Sequence, residues 1–322
     1  MPAKTHRMEV KGITSPATAT VTADRHVVAE RWFKATPDRV YAAWTTRDML
    51  ERFFWPVGEG KIKEFSLKPG GRLVMGHANE PWTATWSYKE IVPNKRIVFD
   101  DHWDDGSGHV ATGTMEFLPE NGGTRLKVAL GPFPKTGPYQ PGMAVAGFTM
   151  GMDKMAEGLE TPGPGEGFRL IRNFFAPPEK VWEMWTTKAG LDQWWKLAAH
   201  DMGFRFRVDR LDVKVGGSYD IVMSNQEHGD LHNHGEYLEV VPNERLVYRW
   251  DFDIFLGPGE TAYPIIVSVE IERTEPWGPG SVGTKMTFTQ GPMAKPEHTE
   301  GSRQGVISNF AKLQDALAAA GK

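Results

Sequence analysis

The stretch "FKATPDRVYAAWTTRDMLERFF" (33–54) decides the fold, because the chain writes it again as "FFAPPEKVWEMWTTKAGLDQWW" (174–195). At a constant offset, Val40 falls on Val181, Trp44 on Trp185, Leu50 on Leu191 and Phe53 on Trp194. The correspondence continues outward in the same order. "LKPGGRLVM" (67–75) matches "VKVGGSYDIVM" (213–223), and "YKEIVPNKRIVF" (88–99) matches "YLEVVPNERLVY" (237–248). "GGTRLKV" (122–128) then matches "VGTKMTF" (282–288). An ordered series of this kind is a tandem duplication. The Pro/Gly-rich "TPGPGEG" (161–167) reads as the joint between the copies. The expected organisation is a flexible segment over 1–23, a first domain over 24–160, the 161–167 linker and a second domain over 168–322. Two domains also suit 322 residues at about 150 per domain.

Each copy implies the same local structure. A strand ("HVVAERWFKA"; "FRLIRNFFA") leads into a helix that begins with Pro37 or Pro178, where the missing N–H costs nothing. Val40 and Trp44, or Val181 and Trp185, lie four apart on one helical face. Thr46 and Thr187 read as N-caps of a second short helix. Its apolar stripe is Leu50, Phe53 and Phe54, repeated as Leu191, Trp194 and Trp195. Several strands follow, divided by Gly- and Pro-rich turns. Phe148, Met152, Met155 and Leu159 then recur as Val306, Phe310, Leu313 and Leu317, an amphipathic closing helix in each copy. Strand, short helices, antiparallel strands and one long helix make an α+β plan. A sheet curved around a long helix leaves room for a small molecule between them.

Composition narrows the function. With 40% hydrophobic and 24% charged residues the chain is ordinary globular material. A net charge of −4 without a basic run argues against a nucleic-acid partner. The absence of Cys removes disulfides, thiolate nucleophiles and Cys-ligated zinc, and suits a reducing compartment. The polar N-terminus does not read as a signal peptide, and no run approaches the roughly 18 apolar residues of a membrane span. A cytoplasmic location is expected. No phosphate loop, dinucleotide fingerprint or nucleophile elbow occurs in a fitting context, and no cofactor is expected.

Both copies resemble the SRPBCC or START-like superfamily, the helix-grip fold of the birch-pollen allergen. Within it they are most similar to bacterial homologues of the activator of the ninety-kilodalton heat-shock protein ATPase. The resemblance rests on the "A-x-P-x-x-V-x-x-x-W-T" helix, the aromatic pair after the second helix, the "GG" hairpin, the "VVPNERLVY" strand pair, the "G-T" strand and the terminal helix. It covers nearly all of 25–160 and 168–320. It implies two tandem helix-grip domains, each a curved antiparallel sheet around its C-terminal helix, and a habit of binding apolar ligands. The superfamily includes lipid carriers, hormone receptors, aromatase/cyclases and chaperone activators. An enzyme and a chaperone-binding module therefore stand as alternatives to a carrier of a hydrophobic molecule.

"HGDLHNHGEY" (228–237) invites a metal reading through His228, His232 and His234, with Glu239 just beyond. The first copy supplies a control. Thr83, Thr85, Ser87 and Lys89 stand where the second has His232, His234, Glu236 and Leu238, while Trp86 and Tyr88 match Gly235 and Tyr237. Alternate side chains of a strand share a face. The polar row therefore reads as outward and the aromatic row as cavity-facing, and no metal is expected.

In the strand after the turn, Leu246, Tyr248, Trp250 and Phe252 alternate on one face and match Ile97, Phe99, Asp101 and Trp103. The expected ligand-contacting residues are Trp86, Tyr88, Phe99, Asp101 and Trp103 in the first copy. In the second they are Tyr237, Tyr248, Trp250 and Phe252, with Tyr88 and Tyr237 offering hydroxyls for orientation. Asp101 is also the one carboxylate that could act as a catalytic acid or base. Against that, "DDHWDDGSG" reads as a turn in which Asp101 would be solvated. "FDIFLGPGETAYP" (252–264) reads as a long hairpin loop or a lid, and "GPFPKTGPYQPGM" (131–143) similarly.

Overall fold

The computed structural model describes residues 10–54, 60–77, 83–103, 108–137, 139–253, 256, 261–275 and 281–320. The first half contains β1 (Thr18–Val21), β2 (Val27–Phe33), α1 (Pro37–Thr45), α2 (Arg47–Met49) running into a π-helical turn (Leu50–Phe54), and β3 (Gly60–Phe65). It continues with β4 (Arg72–His77), β5 (Thr83–Val92), β6 (Arg96–Trp103), β7 (Val110–Glu120), β8 (Gly123–Gly131) and α3 (Pro141–Leu159). The second half repeats the plan. It has β9 (Phe168–Phe174), α4 (Pro178–Thr186), α5 (Lys188–Asp201), β10 (Arg205–Leu211), β11 (Ser218–Asn225) and β12 (Gly229–Val241). β13 (Arg245–Phe252), β14 (Tyr263–Thr274), β15 (Gly283–Gln290) and α6 (Pro296–Ala320) complete it. The sheets are antiparallel, ordered β1-β2-β8-β7-β6-β5-β4-β3 and β10-β11-β12-β13-β14-β15-β9.

The repeated glycine hairpins, bulges and "G-T" strands fold alike because each solves the same backbone problem. Gly70 and Gly216 take φ of 78° and 76°, a region costly for any residue with a Cβ. Their N–H groups donate to the carbonyls of Tyr88 and Tyr237, each at 2.8 Å. A Cβ on Gly71 would strike the Ser66 carbonyl oxygen, and one on Gly217 the Asp212 carbonyl oxygen. The β5–β6 and β12–β13 ladders carry a bulge at the same place, between Tyr88 and Glu90 and between Tyr237 and Glu239. Thr124 Oγ1 donates to the Ala35 carbonyl at 2.7 Å, and Thr284 Oγ1 to that of Ala176 at 2.6 Å. These two bonds tie the returning strand to the entry of α1 and α4, which explains the repeated "G-T".

Each half has its own core. Val40, Trp44, Phe148, Met152, Met155 and Leu159 are buried in the first, and Val181, Trp185, Phe310, Leu313 and Leu317 in the second. In the first half a buried ion pair between Arg31 on β2 and Asp153 on α3 joins the sheet to the long helix, and Thr14 accepts from the same guanidinium at 2.8 Å. Among the described residues no helix is long and apolar enough to cross a membrane.

Three details differ from the sequence reading. Thr18–Val21, expected within a flexible segment over 1–23, pairs with Val27–Glu30 as β1. Its "TATV" carries too little apolar alternation to announce a strand, and backbone pairing supplies what the side chains do not. The compact first unit begins at Thr14, while residues 10–13 go with the second, where Gly167 N–H donates to the Lys11 carbonyl at 3.1 Å. Thr187 caps α5 by accepting from Gly190 N–H at 2.9 Å, but Thr46 makes no such cap, its hydroxyl donating backwards to the Ala42 carbonyl. The matching helix, α2, ends after three residues in the π-helical turn.

Candidate functional site: an aromatic cavity in the second half

The inner face of the β10–β15 sheet, together with α4, α5 and α6, borders a cavity of about 450 Å³. Tyr237 on β12 and Tyr248, Trp250 and Phe252 on β13 all line it. Period-two alternation and the antiparallel register bring them together, since Tyr237 pairs directly with Tyr248 and Gly235 with Trp250. The tyrosines meet edge-on or tilted, with Tyr219–Tyr237 centroids 5.4 Å apart and Tyr219–Tyr248 5.5 Å apart. Burial pushes the phenols of Tyr219, Tyr237 and Tyr248 above their ordinary range, so they remain neutral hydroxyls. Trp185, Trp194, Trp195, Met293 and Phe310 close the helical side.

Sequence reasoning missed several lining residues. Tyr219 was legible in the alternation of "SYDIV", whereas Asn233, Gln290 and Asn309 carried no signal, being polar residues with no motif around them. Of the expected loop or lid over 252–264, residues 254–255 and 257–260 lie outside the described residues.

The first half treats the corresponding positions differently. Trp86, Tyr88 and Phe99 are buried in its core cluster and pack against one another. The Trp86 ring lies 4.4 Å from Phe99, 6.3 Å from Phe148 and 6.4 Å from Trp44, centroid to centroid. These residues, expected to line a first-half cavity, are part of the core of that half. At matched positions the second half carries smaller groups: Trp86 becomes Gly235, Phe148 becomes Val306 and Met143 becomes Gly301, of which Val306 and Gly301 line its cavity. One exchange is partly compensated. Tyr219 stands where β4 has Leu73, and its hydroxyl crosses over Gly235 to donate to the Arg249 carbonyl at 3.2 Å.

Asp101 is not solvated; the turn reading is corrected. It is 2% exposed on β6, where Tyr139 Oη donates to Oδ2 at 2.6 Å and Trp103 Nε1 donates to the same oxygen at 3.2 Å. Tyr139 comes from the 131–143 loop and stacks on Trp103, with centroids 4.5 Å apart. Burial pushes the carboxyl up to about 6, against these donors, which pull it down. Asp101 and Trp103 do not line the second-half cavity.

His232 and His234 face outward at 43% and 37% side-chain exposure, each 3.0 Å from its own carboxylate, Asp220 and Asp253 respectively. Glu239 is buried opposite Val247, across the bulge that follows Tyr237, and lies 3.5 Å from Arg245. Among the described residues no three His, Cys, Asp or Glu side chains are grouped to hold a metal ion.

Each half is thus an antiparallel sheet packed on a long C-terminal helix, and the chain is a tandem pair of helix-grip domains, the second of which keeps an open cavity. It belongs to the family described as Activator of Hsp90 ATPase homolog 1-like protein, whose model matches residues 34–160 and again 175–318. Among solved structures, it is similar to protein CV1439 from Chromobacterium violaceum, at 22% identity over 42% of this chain and 97% of that one, with a TM-score of 0.39. It is also similar to protein Ms6760 from Mycobacterium smegmatis, at 20% identity over 46% and 99%, with a TM-score of 0.39. DynU16, a protein of the dynemicin biosynthetic locus, matches 92% of this chain and 97% of its own at 14% identity, with a TM-score of 0.35. A search of curated proteins found no match.

Proposed function

We propose that the second domain binds a hydrophobic or aromatic small molecule in its cavity. The observation that carries this reading is the cavity of about 450 Å³, walled mainly by aromatic and aliphatic side chains and placed between the sheet and α6. Burying about 300 Å² of apolar ligand surface there contributes about 7 kcal/mol before association costs, at roughly 25 cal/mol per Å². That is enough for a useful affinity without a charged anchor. A neutral fluorescent probe such as 1-aminoanthracene should bind the full chain with quenching of tryptophan emission. Trp250→Ala and Tyr248→Ala should each weaken it by about ten-fold, the loss of an aromatic wall. Unchanged affinity in both variants would remove the cavity from consideration.

A catalytic reading rests on Asp101, whose carboxyl is pushed up to about 6 by burial. It belongs to the other domain and is closed over by Tyr139, so Asp101→Asn should leave probe binding unchanged. Membership of the family keeps a chaperone-directed role as an alternative, which capture of a chaperone by the full chain, and its loss on changing surface residues only, would favour.

A further inference from the structure

One end of the cavity is bordered by a turn of helix that the first half lacks. Aligning Phe148 with Val306 places Pro141, the first residue of α3, on Thr299, so Pro296, Glu297 and His298 are helical only in the second half. Glu297 and His298 both line the cavity. The His298 ring packs on Phe252, with centroids 5.6 Å apart, and its Nδ1 lies 3.4 Å from Tyr263 Oη on β14. Nδ1 is thereby taken up at the sheet. Nε2, on the other side of the ring, makes no hydrogen bond among the described residues. Nor is that nitrogen sealed, since the side chain is half-buried and the atom keeps accessible surface.

The first half treats the matching place differently. There Tyr139, from the segment leading into α3, stacks on Trp103, the counterpart of Phe252, and donates to Asp101 at 2.6 Å. Polar ring and carboxylate satisfy each other, and both are buried. In the second half Trp250 stands in place of Asp101, so the polar ring that packs on Phe252 meets no carboxylate from β13. An imidazole nitrogen is left for whatever enters the cavity.

The surrounding groups narrow the chemistry. Ser302, one turn further along the same face of α6, is already bonded to the Gln290 amide at 3.0 Å. Among the described residues no Lys or Arg lines the cavity, and His298 is the one lining side chain that can become positive by taking up a proton. Glu297 stands beside it, exposed and of opposite charge. A ligand carboxylate set against His298 would also meet Glu297, a like charge. A hydroxyl avoids that repulsion. It also suits either imidazole tautomer, because it both donates and accepts.

Resting on the proposed binding role of this cavity, we infer that His298 is its specificity-determining residue and that the ligand is an uncharged ring compound bearing a hydroxyl, a phenol or a ring alcohol. The rings lie against the aromatic wall, and the hydroxyl bonds to His298 Nε2 at the first turn of α6.

Three probes of one ring system test this by titration of the full chain at neutral pH: naphthalene, 2-naphthol, which adds a hydroxyl, and 2-naphthoate, which adds a charge. Naphthol should bind about five-fold more tightly than naphthalene, the effect of one net hydrogen bond. Naphthoate should bind more weakly than naphthol. His298→Phe keeps a ring against Phe252 and removes the nitrogens. It should hold naphthalene affinity, which reports an intact fold and cavity, and erase the preference for naphthol. Equal binding of naphthalene and naphthol by the unaltered chain overturns the hydroxyl assignment while leaving the cavity reading intact. Retention of the preference in His298→Phe, or equal weakening of both probes, overturns the role of His298. Tighter binding of naphthoate than naphthol overturns the uncharged ligand. Binding of none of the probes overturns the cavity reading itself.

Discussion

The Asp101 carboxyl, pushed up to about 6 by burial, ionises in the unfolded chain near 3.8. Between those values the folded protein holds the proton that the unfolded chain releases, so stability falls as pH rises through the window from about 4 to 6. The total effect is on the order of 3 kcal/mol, since one pKa unit corresponds to about 1.4 kcal/mol. Asp101→Asn keeps an acceptor for Tyr139 and removes the ionisation. Urea melts of the first domain should show a midpoint that declines from pH 4.5 to pH 7 in the unaltered protein, and the Asn variant should lack this decline. A flat profile in the unaltered protein would show that the carboxyl is not held as described. The burial of this side chain was not legible locally, because "DDHWDDGSG" has the composition of a turn. The partner that closes it, Tyr139, is 38 residues away on a loop.

At the level of elements, the repeated glycine hairpins were readable because the requirement is local. A positive φ at Gly70 and Gly216, and the carbonyl crowding at Gly71 and Gly217, can be met only without a Cβ. Gly71→Ala and Gly217→Ala should each lower stability by about 2–4 kcal/mol, because backbone has to move to admit the methyl. Thermal unfolding should register the loss once per variant, with the two domains affected separately. A neutral result at either site would contradict the close approach. The β12 strand was also readable, since the outward row of His232 and His234 and the inward row of Tyr237 follow from alternation checked against the first copy. Thr46 escaped that logic. The same Thr-Thr pair stands in both copies, but the helix it should cap is three residues long in one and fourteen in the other, α2 and α5.

Across the whole molecule, duplication has left the two copies with different side-chain volumes at matched positions, and the second copy carries the cavity described above. The difference sits in a few volumes: Trp86, Phe148 and Met143 against Gly235, Val306 and Gly301. Putting bulk back should close the second domain. Val306→Phe should reduce affinity for an apolar probe by at least about ten-fold without loss of thermal stability, as added apolar volume enters existing space. The reverse change, Phe148→Ala in the first domain, should cost about 3–5 kcal/mol, the usual penalty for a cavity left in a packed core. Both are measured by melting and probe titration on the same preparations. If Val306→Phe leaves probe binding intact, the opened space lies elsewhere than beneath α6.

The sequence by itself determined the duplication, the α+β helix-grip plan of each copy, the direction in which the β12 histidines point and the aromatic row of the second domain. These are set by periodicity and backbone chemistry within a strand, a turn or a helix face. The tertiary structure alone decided that the second domain holds an aromatic cavity and that Asp101 is buried beneath Tyr139. Those properties depend on volumes and partners that meet across the sheet and the long helix, and no single stretch of chain contains both sides of such a contact.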